Sequence, residues 1–400
     1  MNKTTHENDK IKLLVFLQYY LPGSKSGGPV RTVANMVEAL SDRIDFYIVT
    51  LDRDSGDTAP YSGCYVNEWQ KVGAANVYYC SPDSIKMSKF YRLITDVDFD
   101  LIYFNSFFSY EFTIKPLMAA KLLKRVQSKR IVLAPRGEFS EGALTIKRRK
   151  KQLMLFFINR LSWLKNIYWH ASSEWEVKDI NAVVKVKDDH IKTAYNLVKR
   201  DSNPSFQNKV NQICSDTCNI MFLSRISPKK NLLGALEILS HIKANINFNI
   251  YGGISDADYW SECQVLIHKL PYNIKVKYFG HVSYDQVTII LQQNDLLLLP
   301  TLGENFGHVI VESIQVGTPV LISDKTPWRD LESKGIGWDV PLGNKQAFCK
   351  AIETVAQMSS QEKFQWRQLI LSKQDEILNF SEIEQQNFHL FKGIADLLPS

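Results

Sequence analysis

The chain has 400 residues, roughly two to three times the commonest domain size, so two domains are expected. Its 48 basic and 42 acidic side chains give a formal charge of +6, with 45% hydrophobic and 22% charged residues. This balance excludes a disordered chain, a coiled coil and a collagen-like repeat, and no apolar run reaches the length of about eighteen residues that a membrane-spanning helix needs.

The first apolar run, Leu13–Leu17, follows Glu7 and Asp9 and precedes no small-residue cleavage site, so it reads as a buried strand rather than a secretory signal. Similar runs follow at Phe46–Thr50, Asn76–Cys80, Leu101–Asn105, Arg130–Pro135 and Ile167–Ala171. A second series comprises Asn219–Ser224, Asn247–Tyr251, Val276–Phe279, Asp295–Pro300 and Pro319–Ser323. Runs with little polar alternation suit parallel strands buried on both faces. Between them lie helical patterns: Val30, Val33, Val37 and Leu40 share one face, as do Leu232, Leu236 and Leu239. The repeated alternation predicts two doubly wound α/β domains. The polar stretch Lys199–Asp216 interrupts it, which sets the domains at 1–200 and 217–378 with a linker at 201–216 and a helical segment at 379–400. The six cysteines, Cys64, Cys80, Cys214, Cys218, Cys263 and Cys349, are too scattered for a disulfide framework, and the chain reads as a reduced, cytoplasmic protein.

Four segments carry chemistry. In Leu21–Arg31, Gly27 and Gly28 precede Pro29 and a helix, so backbone amides can approach a phosphate. The pattern is neither G-x-G-x-x-G nor a Walker A sequence. In Ile131–Phe157, Pro135–Arg136–Gly137 ends a strand. The run Lys147–Lys151 then precedes apolar Leu153–Ile158, which reads either as a peripheral membrane contact or as a solvated basic face over a buried one. In Asn219–Leu239, Arg225 and Lys230 fall near a strand end and a helix start, where paired cations can neutralise a diphosphate. Lastly, Leu299–Asp330 holds a loop with Gly303, Glu304, Asn305, Phe306 and Gly307 before a helix that begins near His308. Glu304 in that loop and Glu312 one turn inside the helix can face one cleft at the carboxyl edge of the sheet, where carboxylates accept hydrogen bonds from vicinal hydroxyls.

The run G-E-N-F-G…E-S…G-T-P-V from Gly303 to Val320, with R-x4-K at Arg225 and Lys230, resembles the retaining GT-B glycosyltransferases of family 4. The resemblance covers nearly the whole chain and is strongest over residues 219–345. It implies two Rossmann-like domains facing each other across a cleft. It also implies transfer of a sugar, with retention, from a nucleoside diphosphate sugar to a hydroxyl of a glycan acceptor. By resemblance, Arg225 and Lys230 stabilise the departing diphosphate and Glu304 contacts the transferred sugar. Glu312 binds the ribose, and Asn305, Phe306, Gly307, His308 and Val309 line the donor loop. Gly28 reaches the donor phosphate, with Gly27 on the acceptor side. Gly280 and His281 pass the base. Asn305 replaces the commoner glycine and Ser313 a common alanine. Arg136 stands where many members carry a donor-contacting histidine, in a subset with a P-R-G signature linked to polysaccharide assembly, and is assigned to the donor. His170 is either an acceptor contact or a packed histidine.

The expected partners are the nucleotide sugar and a glycan or lipid-linked glycan of a bacterial surface polysaccharide, reached at the cytoplasmic face of the inner membrane. No metal, cofactor or nucleic acid is expected: Asp96, Asp98 and Asp100 lead into a strand, and Cys214 and Cys218 lack a second ligand pair. A GT-B sugar-nucleotide epimerase and a non-catalytic partner subunit are the alternatives. The first lacks its carboxylate and histidine pattern here, and the second is expected to lose some of Arg225, Lys230, Glu304 and Glu312, all of which are present.

Overall fold

The computed structural model describes residues 10–123, 130–145, 149, 151–155, 164, 166–199 and 217–397. The chain divides into two compact units, Met1–Lys199 with Phe380–Ser400, and Arg200–Asn379.

Among the described residues, the first unit builds one sheet from β1 (Ile11–Phe16), β2 (Ile44–Leu51), β3 (Trp69–Val72), β4 (Ala75–Cys80), β5 (Leu101–Asn105), β6 (Arg130–Ala134), β7 (Ile167–Ala171) and β8 (Ile191–Thr193). Their order is β3-β4-β2-β1-β5-β6-β7-β8. Every pair is parallel except β3 with β4. The strands are apolar along their length because both faces are covered. Leu14 and Phe16 of β1, Ile102 and Phe104 of β5, and Ile131 and Leu133 of β6 enter one core. Their alternate neighbours Leu13, Val15, Leu101, Tyr103, Val132 and Ala134 enter the other. The period of two thus divides each continuous apolar run between two layers. The helix Gly28–Leu40 covers the second layer with Val33, Met36, Val37 and Leu40.

That layer is completed from the far end of the chain. The helix Ser360–Leu378 stops at Asn379, whose φ of 40° turns the backbone out of the helix. The helix Phe380–Ala395 then places Leu390, Phe391 and Ile394 in the first unit's core. Burying a side chain the size of Phe391 stabilises by about 1.5–3 kcal/mol.

The second unit forms β9 (Cys218–Leu223), β10 (Ile246–Tyr251), β11 (Ile274–Tyr278), β12 (Leu296–Leu299), β13 (Val320–Ser323) and β14 (Gly337–Val340), all parallel, in the order β11-β10-β9-β12-β13-β14. Counting from β9, this is the doubly wound 3-2-1-4-5-6 arrangement, whose order reverses between β9 and β12. The corresponding reversal in the first unit lies between β1 and β5. Ligands of such sheets gather beyond the carboxyl ends of the strands at these two points.

Strands β3, β8 and β14 go beyond those read from the sequence. They have four, three and four residues, and β3 is half exposed at a sheet edge, so none carries the apolar run by which the others were recognised. Among the described residues, no helix is long and apolar enough to cross a membrane.

Candidate functional site

In the second unit the reversal point brings together the segments after β9 and β12. The chain leaves β9 through Ser224 and Arg225 into a short turn, Pro228–Lys230. Asn231 ends that turn at φ 59° and caps the helix Leu232–Leu239 by accepting from the Gly234 amide. The same side chain donates to the Pro300 carbonyl at 2.8 Å. Lys229 O accepts from the Leu302 amide at 2.8 Å and from Thr301 Oγ1 at 3.0 Å. Together these bonds lace the cationic turn to the loop after β12.

Lys230 Nζ forms an ion pair with Glu304 Oε2. Their side chains are only 15% and 16% exposed, so water screens the pair weakly. Arg225 is exposed, and its guanidinium makes no ion pair among the described residues. The Glu304 amide donates to Lys325 O at 2.9 Å, which fixes the loop against the segment after β13.

The helix His308–Gln315 begins after Gly307, whose φ is 81°. The left-handed backbone favours glycine there, and a Cβ would also press on the Ile310 side chain, 2.7 Å from its Cδ1. Phe306 is buried against Trp328, whose indole donates to the Phe306 carbonyl at 2.5 Å. Glu312 lies one turn into the helix, with Oε2 buried. Loop and helix start therefore present Glu304, Asn305, His308 and Glu312 beside the first helical amides. Such amides favour anions and donate to hydroxyl oxygens. Further along the edge, Gly252 (φ 138°) brings the end of β10 so close to Ser224 that a Cβ would sit 1.9 Å from its carbonyl oxygen. The Gly252 amide donates to Gly280 O at 2.7 Å. His281 follows and is exposed, beside a Tyr251–Phe279 ring stack.

In the first unit, Asp54 holds the turn before Gly27 by accepting from the amides of Ser24 and Lys25, at 2.6 and 2.8 Å. Gly27 has φ 62° and open space where a Cβ would be. Beyond β6, Arg136 (φ 55°) and Gly137 (φ 77°) are both left-handed. The guanidinium of Arg136 donates to Asn105 Oδ1 at 2.8 Å, and also to Asn196 Oδ1 and the Tyr103 hydroxyl. Tyr103 in turn donates to His170 Nδ1, 3.0 Å away, because His170 Nε2 gives its proton to Ala194 O at 2.9 Å. Burial, and after it the Arg136 charge, push the His170 pKa down to about 3. His170 is thus neutral, 1% exposed and bonded at both nitrogens, which places it with packed histidines rather than with acceptor contacts.

Two carboxylates escaped the sequence reading. Glu138 accepts from Ser106 Oγ and the amides of Phe107 and Phe108, while burial raises its pKa. Glu176 accepts from the Gly137 and Ser172 amides. Their only sequence signal is an acid two residues after Arg136 and another three after Ser173, too common to single out. Asp98 and Asp100 bond to Lys12, through its side chain and its amide, and tie the β5 entrance to β1. Cys214 and three of the five residues Lys147–Lys151 lie outside the described residues; Arg149 there is exposed, and Lys151 donates to Ala143 O at 2.6 Å.

HepE of Anabaena, solved in complex with UDP and glucose, superposes with a TM-score of 0.67 at 16% identity, covering 96% of this chain and all of that one. The fold is GT-B. Residues 205–367 match the family described as glycosyl transferases group 1. A 41.2 kDa protein in the cps region of Klebsiella pneumoniae is 26% identical over 245 residues, 60% of this chain and 64% of the relative. The O-antigen chain mannosyltransferase RfbU of Salmonella typhimurium is 23% identical over 112 residues, 28% of this chain and 31% of RfbU. The chain thus spans less than two thirds of the length of these curated relatives. These comparisons establish the GT-B fold and a likeness of residues 205–367 to the glycosyl transferases group 1.

Proposed function

We propose that this chain is a retaining glycosyltransferase of family 4 type. It moves a sugar from a nucleoside diphosphate sugar to a hydroxyl of a glycan acceptor in the assembly of a bacterial surface polysaccharide. The observation that carries the reading is the partly buried Lys230–Glu304 pair, set at the reversal point of the second sheet, in the loop that leads into the helix carrying Glu312. HepE, solved with UDP and glucose, supports the donor class. The cps-region protein and the O-antigen mannosyltransferase support the pathway.

The donor diphosphate takes Lys230 from Glu304 and engages Arg225, and both cations offset the charge that grows as the bond from the sugar to the phosphate oxygen breaks. Glu304 turns to a sugar hydroxyl, and Glu312 accepts from the ribose. Amides around Asn305, Phe306, Gly307, His308 and Val309 hold the rest of the donor, and Gly280 and His281 meet the base. The acceptor oxygen forms the new bond on the same face while its proton passes to the departing phosphate oxygen, so no protein nucleophile is needed; with Arg225 and Lys230 on the diphosphate, the step requires no metal. Gly28 serves the phosphate and Gly27 the acceptor. The acceptor is lipid-linked, and the basic segment 147–151 brings the enzyme to the cytoplasmic face of the membrane that carries it.

A thermal-shift panel of UDP-, GDP-, ADP- and dTDP-sugars on the wild type and Glu312→Ala tests this reading. One sugar nucleotide should stabilise the wild type by about 2–3 kcal/mol at a hundred times its dissociation constant. The gain should vanish in the variant. No stabilisation by any of them at about 1 mM, with folded protein, refutes a donor site.

A further inference from the structure

Arg136 occupies a left-handed position, which a residue other than glycine adopts only against steric crowding. The side chain therefore has to offset what the backbone loses. It does so by donating to three acceptors on two segments: Tyr103 and Asn105 of β5, and Asn196 after β8. The contact with Asn105 has a directional consequence. Because Asn105 Oδ1 accepts from Arg136 Nε, the amide must turn its Nδ2 the other way, and Nδ2 donates to the Pro29 carbonyl at 3.2 Å. Pro29 immediately follows Gly27 and Gly28 and lies in the first turn of their helix, which has no side-chain cap.

The rest of the network has equally fixed polarity. Tyr103 donates a hydrogen bond to His170 Nδ1, and His170 Nε2 donates to Ala194 O. The Phe391 ring covers both Tyr103 and His170 edge-on, with centroids 5.5 and 6.4 Å away. Asn105 and Asn196 are 2% and 4% exposed, so neither amide can exchange its partner for water without opening the unit.

We infer that Arg136 is a positioning residue: it orients the Asn105 amide so that Asn105 clamps the Pro29 carbonyl and fixes the glycine turn at Gly27–Gly28. This rests on the proposed function for what that turn serves, and it reassigns Arg136 from touching the donor to acting through Asn105. Two substitutions separate the roles. Arg136→Gly keeps a backbone that accepts φ 55° and removes the guanidinium. Asn105→Asp keeps the acceptor for Arg136 but replaces the donor to Pro29 with a carboxylate oxygen that repels it.

Hydrogen exchange on the full-length protein is the first measurement. Amides of residues 27–33 should exchange about 5- to 10-fold faster in both variants. Peptides from residues 217–379 should be unchanged. Because Gly28 is assigned to the donor phosphate, sugar-nucleotide stabilisation should fall to the same extent in both variants, and kcat/KM should drop at least about tenfold in each. Unchanged exchange at residues 27–33 in a folded Asn105→Asp overturns the inference. So does full kcat/KM in Asn105→Asp alongside a raised donor KM in Arg136→Gly, since Arg136 would then touch the donor itself. If Arg136→Gly does not fold, Asn105→Asp carries the test alone. The exchange readout needs no substrate, so it stands or falls separately from the glycosyltransferase reading.

Discussion

Replacing Glu304 with glutamine removes one charge from the pair with Lys230 and almost no volume. At 15% and 16% exposure the pair lies between two limits. Breaking a surface pair costs about 0–1 kcal/mol, and stranding one partner of a fully buried pair about 3–5. A loss of about 1–2 kcal/mol is therefore expected, since Lys230 stays within reach of water and of the amide oxygen. In a unit of this size that lowers its melting temperature by about 2–8 °C. Nucleotide binding should move the opposite way. In the wild type a diphosphate must displace Glu304 from Lys230; in the variant the lysine is released, so UDP should bind about 5- to 10-fold more tightly, equivalent to about 1–1.4 kcal/mol. Transfer should nonetheless fall about 100-fold or more, because the carboxylate assigned to the sugar is gone. Titration calorimetry with UDP, differential scanning calorimetry and an initial-rate assay measure the three effects. If the folded variant binds UDP several-fold more weakly, Glu304 supports the nucleotide instead of competing with it, and the electrostatic argument fails.

His170 is held neutral in the folded chain, with its pKa depressed to about 3 against about 6.5 unfolded, so its contribution is complete above pH 6.5 and is lost as pH falls towards 3. Between those values it should contribute a slope of up to about 1.4 kcal/mol per pH unit, which urea unfolding across pH 4–7 would show and His170→Gln would flatten; equal slopes exclude the buried neutral histidine. Gly252→Ala puts a Cβ 1.9 Å from Ser224 O at φ 138°. The second unit should lose more than about 3 kcal/mol or fail to accumulate, read by denaturant midpoint against Gly280→Ala, which has open space at its own positive φ of 79°.

The two-sheet architecture was legible because strands buried on both faces must be apolar throughout. Leu13–Phe16 and Leu296–Leu299 announce themselves for that reason. The positions of Lys230, Glu304 and Glu312 beside a strand end or in a helix start were legible because each lies on a short segment with its own local pattern. The Arg136 network was not: Asn105 ends β5, His170 lies in β7 and Asn196 follows β8, and they meet only through the order of β5, β6, β7 and β8. Nothing in P-R-G says that its arginine turns inward. Left-handed backbone at a non-glycine residue leaves no mark in composition, and the buried acids Glu138 and Glu176 look like surface acids until the amides they accept from are folded around them.

Because the helix Phe380–Ala395 belongs to the first unit, that unit is interrupted in the chain by the whole of the second. During synthesis its sheet is complete once Thr193 has emerged, yet the side chains that close its second layer are then still unmade. At about 5–20 residues per second, the intervening segment imposes a wait of about 10–40 s. Through that interval Leu13, Tyr103 and Ala194 lack the cover that Leu390, Phe391 and Ile394 later provide. The nascent first unit thus holds uncovered apolar surface, the condition that favours aggregation, while the second unit is contiguous in sequence and can finish folding before it.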